Sequence, residues 1–365
     1  MIKFLDIYRQ DKKVHKSILN EINKLFKKGD FILGDAVTEF EKKFSQFCDS
    51  KYAISCANGT DALTLALKSL YLPKNSEVII PAMTYASTAF AVINANLKPI
   101  LVDVAPLSPT IDMDELKKKI SKKTRVIMPV HLYGSVANLA SIKKIKSDKK
   151  IYLIDDCAQA HGAYDDSEKK ITKRIGSAAD ISCFSLYPGK NLGAYGDAGV
   201  ITTNNKKFFR IIRKIRNLGV EKKFTHEHVG INSRLDSLQA IILNKKIKNL
   251  NNLNQKRRKI AKFYQKEIKS NKIEKLIYSK SCVYHQYVIL TKYRNKLIAL
   301  FKKNKIQFGF HYPFAIHQLK VFKKKFGKYK FKNSEKIAKQ GISIPIDPNL
   351  KKSEVVKICK VINSL

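Results

Sequence analysis

One lysine of this sequence, Lys190, occupies a position suited to covalent chemistry. It lies in DISCFSLYPGKNLGAYGDAGVITTNN, residues 180–205, between two apolar runs, 181–187 and 198–203, that are each typical of a strand. Glycines crowd the segment between these runs and let the backbone approach a ligand closely. A lysine held there away from water has the lowered pKa that Schiff-base formation requires. The alternative is a surface turn with a solvated lysine.

A pair of carboxylates, Asp155 and Asp156, follows the apolar run 151–154 and lies at the end of another predicted strand. A buried carboxylate there could pair with a protonated heterocyclic nitrogen, the partner that pyridoxal phosphate needs to act as an electron sink. The alternative is that one of the two aspartates caps the next helix.

A helix start in SCANGTDALTLAL could hold a phosphate. Gly59 permits a tight turn, Thr60 offers a hydroxyl, and the first turn of a helix has unpaired N–H groups and a positive dipole end. An ordinary helix start uses the same residue types. Tyr85, in PAMTYAST, follows a strand and could lie over a planar ring, although a tyrosine in isolation more often only packs.

Seven short apolar runs between residues 50 and 205 predict the strands that position these groups. They are YAISCA, EVIIPA, KPILVDV, RVIMPVHLYG, KIYLID, DISCFSLY and AGVITT, and they alternate with helix-like stretches. This alternation predicts an α/β fold with a largely parallel sheet flanked by helices. Ligands of such sheets bind beyond the carboxyl ends of the strands, which is where the residues above fall.

The C-terminal part has a different pattern. Leu235, Leu238, Ile242 and Ile247 keep helical spacing, and a long helix rich in lysine and asparagine follows towards residue 270. Strand-like VYHQYVIL, helix-like NKLIALFKKN and a final helix from Ser353 then predict a smaller α+β unit. We therefore predict a large α/β domain of residues 1–250 and a small domain of residues 251–365.

The composition is that of a globular chain, with 44% hydrophobic residues among 365. No window approaches 18 consecutive apolar residues, which predicts no transmembrane helix. The start, MIKFLDIYRQDKK, lacks the features of a signal peptide, so we expect a cytoplasmic protein. The six cysteines are scattered without metal-ligand spacing, so we expect buried thiols and no metal site.

The net charge of +41 makes binding to nucleic acid or to a membrane surface a possibility to consider. The lysines run from Lys3 to Lys360 without one dominating basic block and without a nucleic-acid-binding module. We therefore predict neither nucleic acid nor membrane as a partner. Such a field would still attract a small anionic substrate.

Motifs along nearly the whole chain resemble one family, the DegT-type nucleotide-sugar aminotransferases, which are pyridoxal-phosphate enzymes of fold type I. The motifs are FLDIYRQ, DFILGDAVTEFEKKF, NGTDAL, PAMTYAST, PILVDV, PVHLYG, DDCAQAHGA, FSLYPGKNLGAYGDAG, GINSRLDSLQA, VYHQYV, HYPFAIH and SIPIDPNL. Two small departures lie near the lysine, GDAG in place of the commoner GDGG and Gly189 at a variable position before Lys190, and neither removes a reactive group.

The resemblance implies a role for each residue that matches a family motif. Lys190 would form the internal aldimine with pyridoxal 5'-phosphate, and Asp156 would pair with the pyridine nitrogen. Gln159 would lie near the phenolic oxygen of the ring, and Tyr85 would stack on its face.

The phosphate and the substrate are assigned in the same way. The resemblance implies that Gly59, Thr60 and Ser185 bind the cofactor phosphate, and that Asn232 reaches the phosphate of the neighbouring subunit in a homodimer with shared active sites. The positions that match substrate contacts are Arg234, His311 and Tyr312.

The implied function is amino transfer to a keto-sugar carried on a nucleoside diphosphate, with L-glutamate as amino donor and a ping-pong mechanism, in amino-sugar biosynthesis. GINSRLDSLQA and SCANGTDAL favour a 3-keto over a 4-keto sugar. The relatives that perform dehydration carry histidine at the position of Lys190, which argues against that branch. Two alternatives remain: a non-catalytic or regulatory member that only binds the cofactor, and a basic nucleic-acid-binding protein.

Overall fold

Strands and helices alternate along most of the chain. The computed structural model describes residues 1–147, 150–167, 173–222 and 224–365. The strands are β1 Tyr52–Cys56, β2 Glu77–Pro81, β3 Lys98–Val102, β4 Thr124–Ile127, β5 Tyr152–Asp156, β6 Ile181–Ser185, β7 Gly199–Thr203, β8 Val220–Lys222, β9 Thr225–His226, β10 Glu274–Lys275, β11 Tyr287–Leu290 and β12 Gly341–Ile344. The helices are α1 Ile7–Asp11, α2 His15–Lys28, α3 Asp35–Phe47, α4 Gly59–Lys68, α5 Ala86–Asn94, α6 Met113–Lys119, α7 Leu139–Ser147, α8 Lys206–Ile215, α9 Ser237–Lys246, α10 Leu250–Glu267, α11 Arg294–Lys303, α12 Lys320–Phe326, α13 Lys332–Gln340 and α14 Lys352–Asn363. Short 3₁₀ turns lie at Leu132–Gly134, Ile247–Asn249 and Ile316–Gln318.

The first seven strands form one sheet in the order β1-β7-β6-β5-β4-β2-β3. The strands β2 to β6 run parallel to one another, and β7 is antiparallel to both of its neighbours, β1 and β6. Each of the seven apolar runs overlaps one of these strands, although of RVIMPVHLYG only residues 125–127 lie in β4, and the prediction of an α/β fold with a largely parallel sheet is confirmed.

Helices cover both faces of this sheet, which is why its strands are almost continuously apolar. Strand β2 shows the arrangement, since every residue of it is buried. Ile79 belongs to the core that contains Phe40 and Phe44 of α3, whereas its neighbours Val78 and Ile80 belong to the core on the α4 and α5 side. Successive side chains of a strand face opposite ways, so each strand end presents only alternate residues to a given side.

The C-terminal third contains a second, antiparallel sheet in the order β10-β11-β12. Its core includes Tyr264 of α10, Phe301 of α11 and Ile358 of α14. Of the predicted strand VYHQYVIL only the last four residues are in β11, and the predicted helix near 295–304 is α11. Helix α10 begins next to the boundary expected after residue 250, and the division into two domains there stays a prediction.

The six cysteines are all buried and free, as the scattered spacing suggested. Among the described residues, the helices are either too short or too polar to cross a lipid bilayer.

Candidate active site

The carboxyl ends of the central strands open into a cavity of about 720 Å³. Its lining includes eight of the eleven site residues expected from the sequence: Gly59, Thr60, Tyr85, Asp156, Gln159, Ser185, Lys190 and Tyr312. These residues come from five separate chain segments. Four of them lie at or just after the ends of β1, β2, β5 and β6, which the large sheet brings to one edge, and the fifth, at Tyr312, comes from the C-terminal third.

Asp156, the last residue of β5, forms the back of the cavity and is 4% exposed. Its Oδ2 accepts a hydrogen bond from Thr88 Oγ1 at 2.8 Å, and its Oδ1 accepts from the Ala158 N–H at 3.1 Å. Burial raises the pKa of this carboxyl, while both hydrogen bonds and the nearby Lys190 oppose the rise. Asp156 is therefore a buried acid that a cationic ligand group would stabilise in its charged form.

Asp155 lies on the opposite side of the same strand and does not line the cavity. It is fully buried, and its Oδ2 lies 3.5 Å from Nε2 of the buried His131. The side-chain alternation of β5 thus decides which aspartate of the pair faces a ligand. The capping alternative is wrong for both, because in the described residues 157–167 turns rather than a helix follow β5.

Lys190 lies in the turn after β6, and it lines the cavity. This position differs from the alternative interpretation of the sequence, in which the lysine would be solvated in a surface turn. Its N–H donates to the Tyr187 carbonyl at 2.9 Å, which closes the turn. Burial lowers the pKa of Lys190 to about 8, and the negative charge of Asp156 acts in the other direction. An amine with such a pKa is available as a nucleophile or base near neutral pH.

The start of α4 forms one end of the cavity. Asn58 caps this helix, since its side chain accepts from the Asp61 N–H at 2.9 Å, and Gly59 and Thr60 are the first two helical residues. A Cβ added at Gly59 would lie 2.6 Å from the Cβ of Ser185, so only glycine fits against β6 here. The helix start and the hydroxyls of Thr60 and Ser185 therefore surround a space suited to an anion.

Gln159 is held from two sides. The Tyr133 N–H donates to its Oε1 at 2.6 Å, so its Nε2 is the atom that donates to the Tyr312 hydroxyl at 2.9 Å. Since Tyr312 accepts from Gln159, its own hydroxyl hydrogen is left for another acceptor. The Tyr312 ring also lies 5.3 Å from the half-exposed ring of Tyr85 at the cavity rim.

Three residues expected at the site do not line this cavity. Asn232 pairs with Asn217 through an isolated backbone bridge, and Arg234 Nη1 donates to Asn217 Oδ1 at 3.1 Å. His311 Nδ1 lies 2.8 Å from Ser343 Oγ, and burial lowers the pKa of His311 to about 4. Within one chain, therefore, these side chains stay outside the cavity wall.

Two residues that hold site groups were not foreseen from the sequence. Thr88, which binds Asp156, lies one helical turn after Tyr85 in the motif PAMTYAST, so helical spacing could have indicated it. Tyr133, which holds Gln159, lies in the motif PVHLYG, but no local pattern connects it with Gln159.

The groups that line the cavity fit pyridoxal phosphate. Gly59, Thr60 and Ser185 form what we call the Gly59 cradle, which offers two hydroxyls and a helix start for the phosphate. Buried Asp156 offers a counter-charge for a protonated ring nitrogen. Lys190 offers an amine of lowered pKa for the aldehyde carbon. The phosphate, the ring nitrogen and the aldehyde of that cofactor thus each have a chemically matched partner in one cavity.

The model of the DegT/DnrJ/EryC1/StrS aminotransferase family matches residues 12–363. The chain is 38% identical to the dTDP-3-amino-3,6-dideoxy-alpha-D-galactopyranose transaminase of Aneurinibacillus thermoaerophilus, over 100% of this chain and 99% of that protein. It is 34% identical to the UDP-2-acetamido-2-deoxy-3-oxo-D-glucuronate aminotransferase of Pseudomonas aeruginosa, over the full length of both.

Among solved structures, S. venezuelae DesV in complex with a ketimine intermediate matches with a TM-score of 0.95. That match has 29% sequence identity and covers 100% of this chain and 98% of DesV. The chain therefore belongs to the DegT/DnrJ/EryC1/StrS aminotransferase family, and its cofactor is pyridoxal 5'-phosphate.

Proposed function

We propose that this chain transfers the amino group of L-glutamate to a keto-sugar carried on a nucleoside diphosphate, at C3 in preference to C4. The observation that carries this proposal is the placement of Lys190, Asp156 and the Gly59 cradle around one cavity. The preference for C3 is supported by the two relatives above, whose names specify a 3-amino and a 3-oxo sugar.

In this proposal the cofactor, when bound, supplies an electron sink that weakens the Cα–H bond of the amino donor. Asp156 would keep the ring nitrogen protonated, because its negative charge favours a positive charge on a nitrogen that faces it. Two hydrogen bonds, from Thr88 and from the Ala158 N–H, hold the carboxylate in place and favour its charged form. Lys190 would accept the Cα proton of the amino donor at Nζ and deliver a proton to C4′ of the cofactor, its former aldehyde carbon, and it would run the same exchange in reverse with the keto-sugar. A pKa near 8 suits a group that must both accept and release a proton near neutral pH.

Tyr312 is proposed as a substrate contact. Gln159 fixes the direction of its hydroxyl, so that the hydroxyl hydrogen is available to an oxygen in the cavity. Burial raises the pKa of Tyr312, which keeps the phenol protonated and able to donate. A sugar hydroxyl or keto oxygen is an acceptor of the required kind.

A homodimer with shared sites is proposed for Asn232 and Arg234. Neither side chain lines the cavity of its own chain. The segment that leads to them exposes apolar side chains, since Leu218 is 44% exposed and Val229 is 93% exposed. Apolar groups on such a segment are typical of a surface covered by a second copy, which would bring Asn232 to the partner's phosphate end.

The test is amino transfer by the purified holoenzyme. We expect absorbance of a pyridoxal-phosphate protein that bleaches with L-glutamate, and an aminated product from a panel of UDP- and dTDP-linked 3-keto and 4-keto sugars. Lys190→Ala is expected to lose turnover, whereas Lys207→Ala, an exposed lysine at the start of α8, is expected to keep it. Turnover by Lys190→Ala, or a colourless protein that pyridoxal phosphate does not reconstitute, would contradict the proposal.

A further inference from the structure

Asn191 directly follows Lys190, and its side chain is tied to three distant residues. Its Nδ2 donates to Asn254 Oδ1 at 2.9 Å and to the Val283 carbonyl at 3.0 Å, while its Oδ1 lies 3.2 Å from His285 Nδ1. The side chain is 5% exposed, and the three partners are buried as well. The turn that carries Lys190 is therefore joined to α10 and to the segment before β11.

The chemistry of the groups gives each of these hydrogen bonds one direction. Both hydrogens of the Asn191 amide are used, so its oxygen must accept and His285 Nδ1 must carry a hydrogen. Asn254 Nδ2 in turn donates to the His161 carbonyl at 2.7 Å, which leaves Asn254 Oδ1 as the acceptor for Asn191. Burial lowers the pKa of His285 well below its ordinary value, in accord with a neutral ring that has one N–H.

We infer that Asn191 is a positioning residue for Lys190, one that makes the placement of the amine depend on the C-terminal third of the chain. The hydrogen bond described for the main chain of Lys190 itself runs from its N–H to the Tyr187 carbonyl. That bond lies within the turn and does not connect the turn to the rest of the molecule. Among the hydrogen bonds described for residues 190 and 191, those that reach α10 and residues 283–285 all come from the Asn191 side chain. The inference rests on the proposed role of Lys190 in proton transfer.

The consequence is a defect in catalysis without a defect in binding. Without these bonds the turn can shift, and a misplacement of about 1 Å in a reacting group costs on the order of 10²-fold in rate. The groups around the cofactor phosphate and the proposed substrate contact Tyr312 are held by other contacts. We therefore expect kcat to fall while KM for both substrates stays nearly constant.

The experiment compares holoenzymes with Asn191→Leu, Asn254→Leu and both substitutions, below their unfolding temperatures and per mole of bound cofactor. We expect kcat of Asn191→Leu to fall about 10²-fold, with each KM within about threefold of the parent. The kcat of the double variant is expected to be no lower than that of Asn191→Leu, because both substitutions break the same hydrogen-bond network. The induced circular dichroism of the bound cofactor, which needs no turnover, is expected to weaken in Asn191→Leu.

Asn244→Leu is the matched control. Asn244 is also a buried asparagine, 4% exposed, and its Nδ2 donates to the Ala36 carbonyl at 2.9 Å, away from the cavity. It is expected to lower the melting temperature and to leave kcat and the induced circular dichroism unchanged. The inference is overturned if Asn191→Leu keeps kcat within about threefold of the parent, or if Asn244→Leu loses as much kcat. If the parent enzyme turns over no keto-sugar, the proposed substrate is wrong, and the circular dichroism comparison still decides the role of Asn191.

Discussion

The ionisation of Lys190 gives a quantitative test of the site. Burial lowers its pKa to about 8, compared with 10.5 for an ordinary lysine. At pH 7 a pKa of about 8 leaves about one amine in eleven neutral, whereas an ordinary lysine would have about one in 3,000. Since the neutral amine is the nucleophile, Lys190 should react about 300 times faster than an equally accessible ordinary lysine at this pH.

The assay is the capture of pyridoxal phosphate by apoenzyme, followed by absorbance after rapid mixing between pH 6 and pH 10. The rate of the reaction between pyridoxal phosphate and a free lysine derivative is measured in parallel. This rate shows how much of the pH dependence comes from ionisation of pyridoxal phosphate and how much from the enzyme. We expect the enzyme rate to rise about tenfold per pH unit up to about pH 8 and then to level off. A tenfold rise per unit that continues to pH 10 would refute the lowered pKa, and a rate independent of pH would refute the role of Lys190 in capture.

The same assay tests the physical cause of the shift. Because the charge of Asp156 raises the pKa of Lys190, Asp156→Asn should move the levelling-off to a lower pH. Asp114→Asn, which removes an equal charge from the exposed face of α6, should leave it in place. An upward movement in Asp156→Asn would show that the coupling between the two groups has been assigned the wrong sign.

Three further expectations concern the cradle, the substrate contact and the dimer. Gly59→Ala should weaken pyridoxal phosphate binding by about fivefold or more in apoenzyme titrations, because its Cβ would meet the Cβ of Ser185 at 2.6 Å, and overpacking of this kind costs about 1–3 kcal/mol; unchanged affinity would refute the assignment of the phosphate site. Tyr312→Phe should lower kcat/KM for the keto-sugar by about two- to tenfold, the worth of one hydrogen bond, and leave the glutamate half-reaction unchanged; an equal loss in both would point to a general role. Lys190→Ala and Asn232→Ala, each inactive alone, should regain about a quarter of the parent activity when dissociated and mixed in equal amounts, because half of the dimers then contain one intact site of two; no recovery would contradict shared sites.

The elements of the large sheet were predictable because their signal is local. Each of β1 to β7 is a short apolar run, and burial on both faces of a parallel sheet requires such runs whatever their partners are. Of the strand expected at VYHQYVIL, however, only Tyr287–Leu290 pairs with other strands. His285, two residues before β11, instead contacts the Asn191 side chain, and no local periodicity encodes that contact.

The sequence by itself determined which groups are available for chemistry. Motif order indicated Lys190, Asp156 and the Gly59 turn, since residue type and position after a strand are properties of the chain alone. Their roles toward the cofactor, carried over from the family resemblance, stay proposals that the variants above address.

Only the tertiary structure decided how those groups face one another. The family resemblance had assigned the ligand to Asp156, but the physical reason lies in the fold: the cavity occupies the side of β5 that Asp156 faces, and sequence periodicity gives alternation without saying which side faces a ligand. The hydrogen bond between Gln159 and Tyr312, and the attachment of Asn191 to Asn254, join residues far apart in the chain. Such contacts exist only after the chain has packed, because a directional hydrogen bond requires both partners to be fixed in space by the rest of the core.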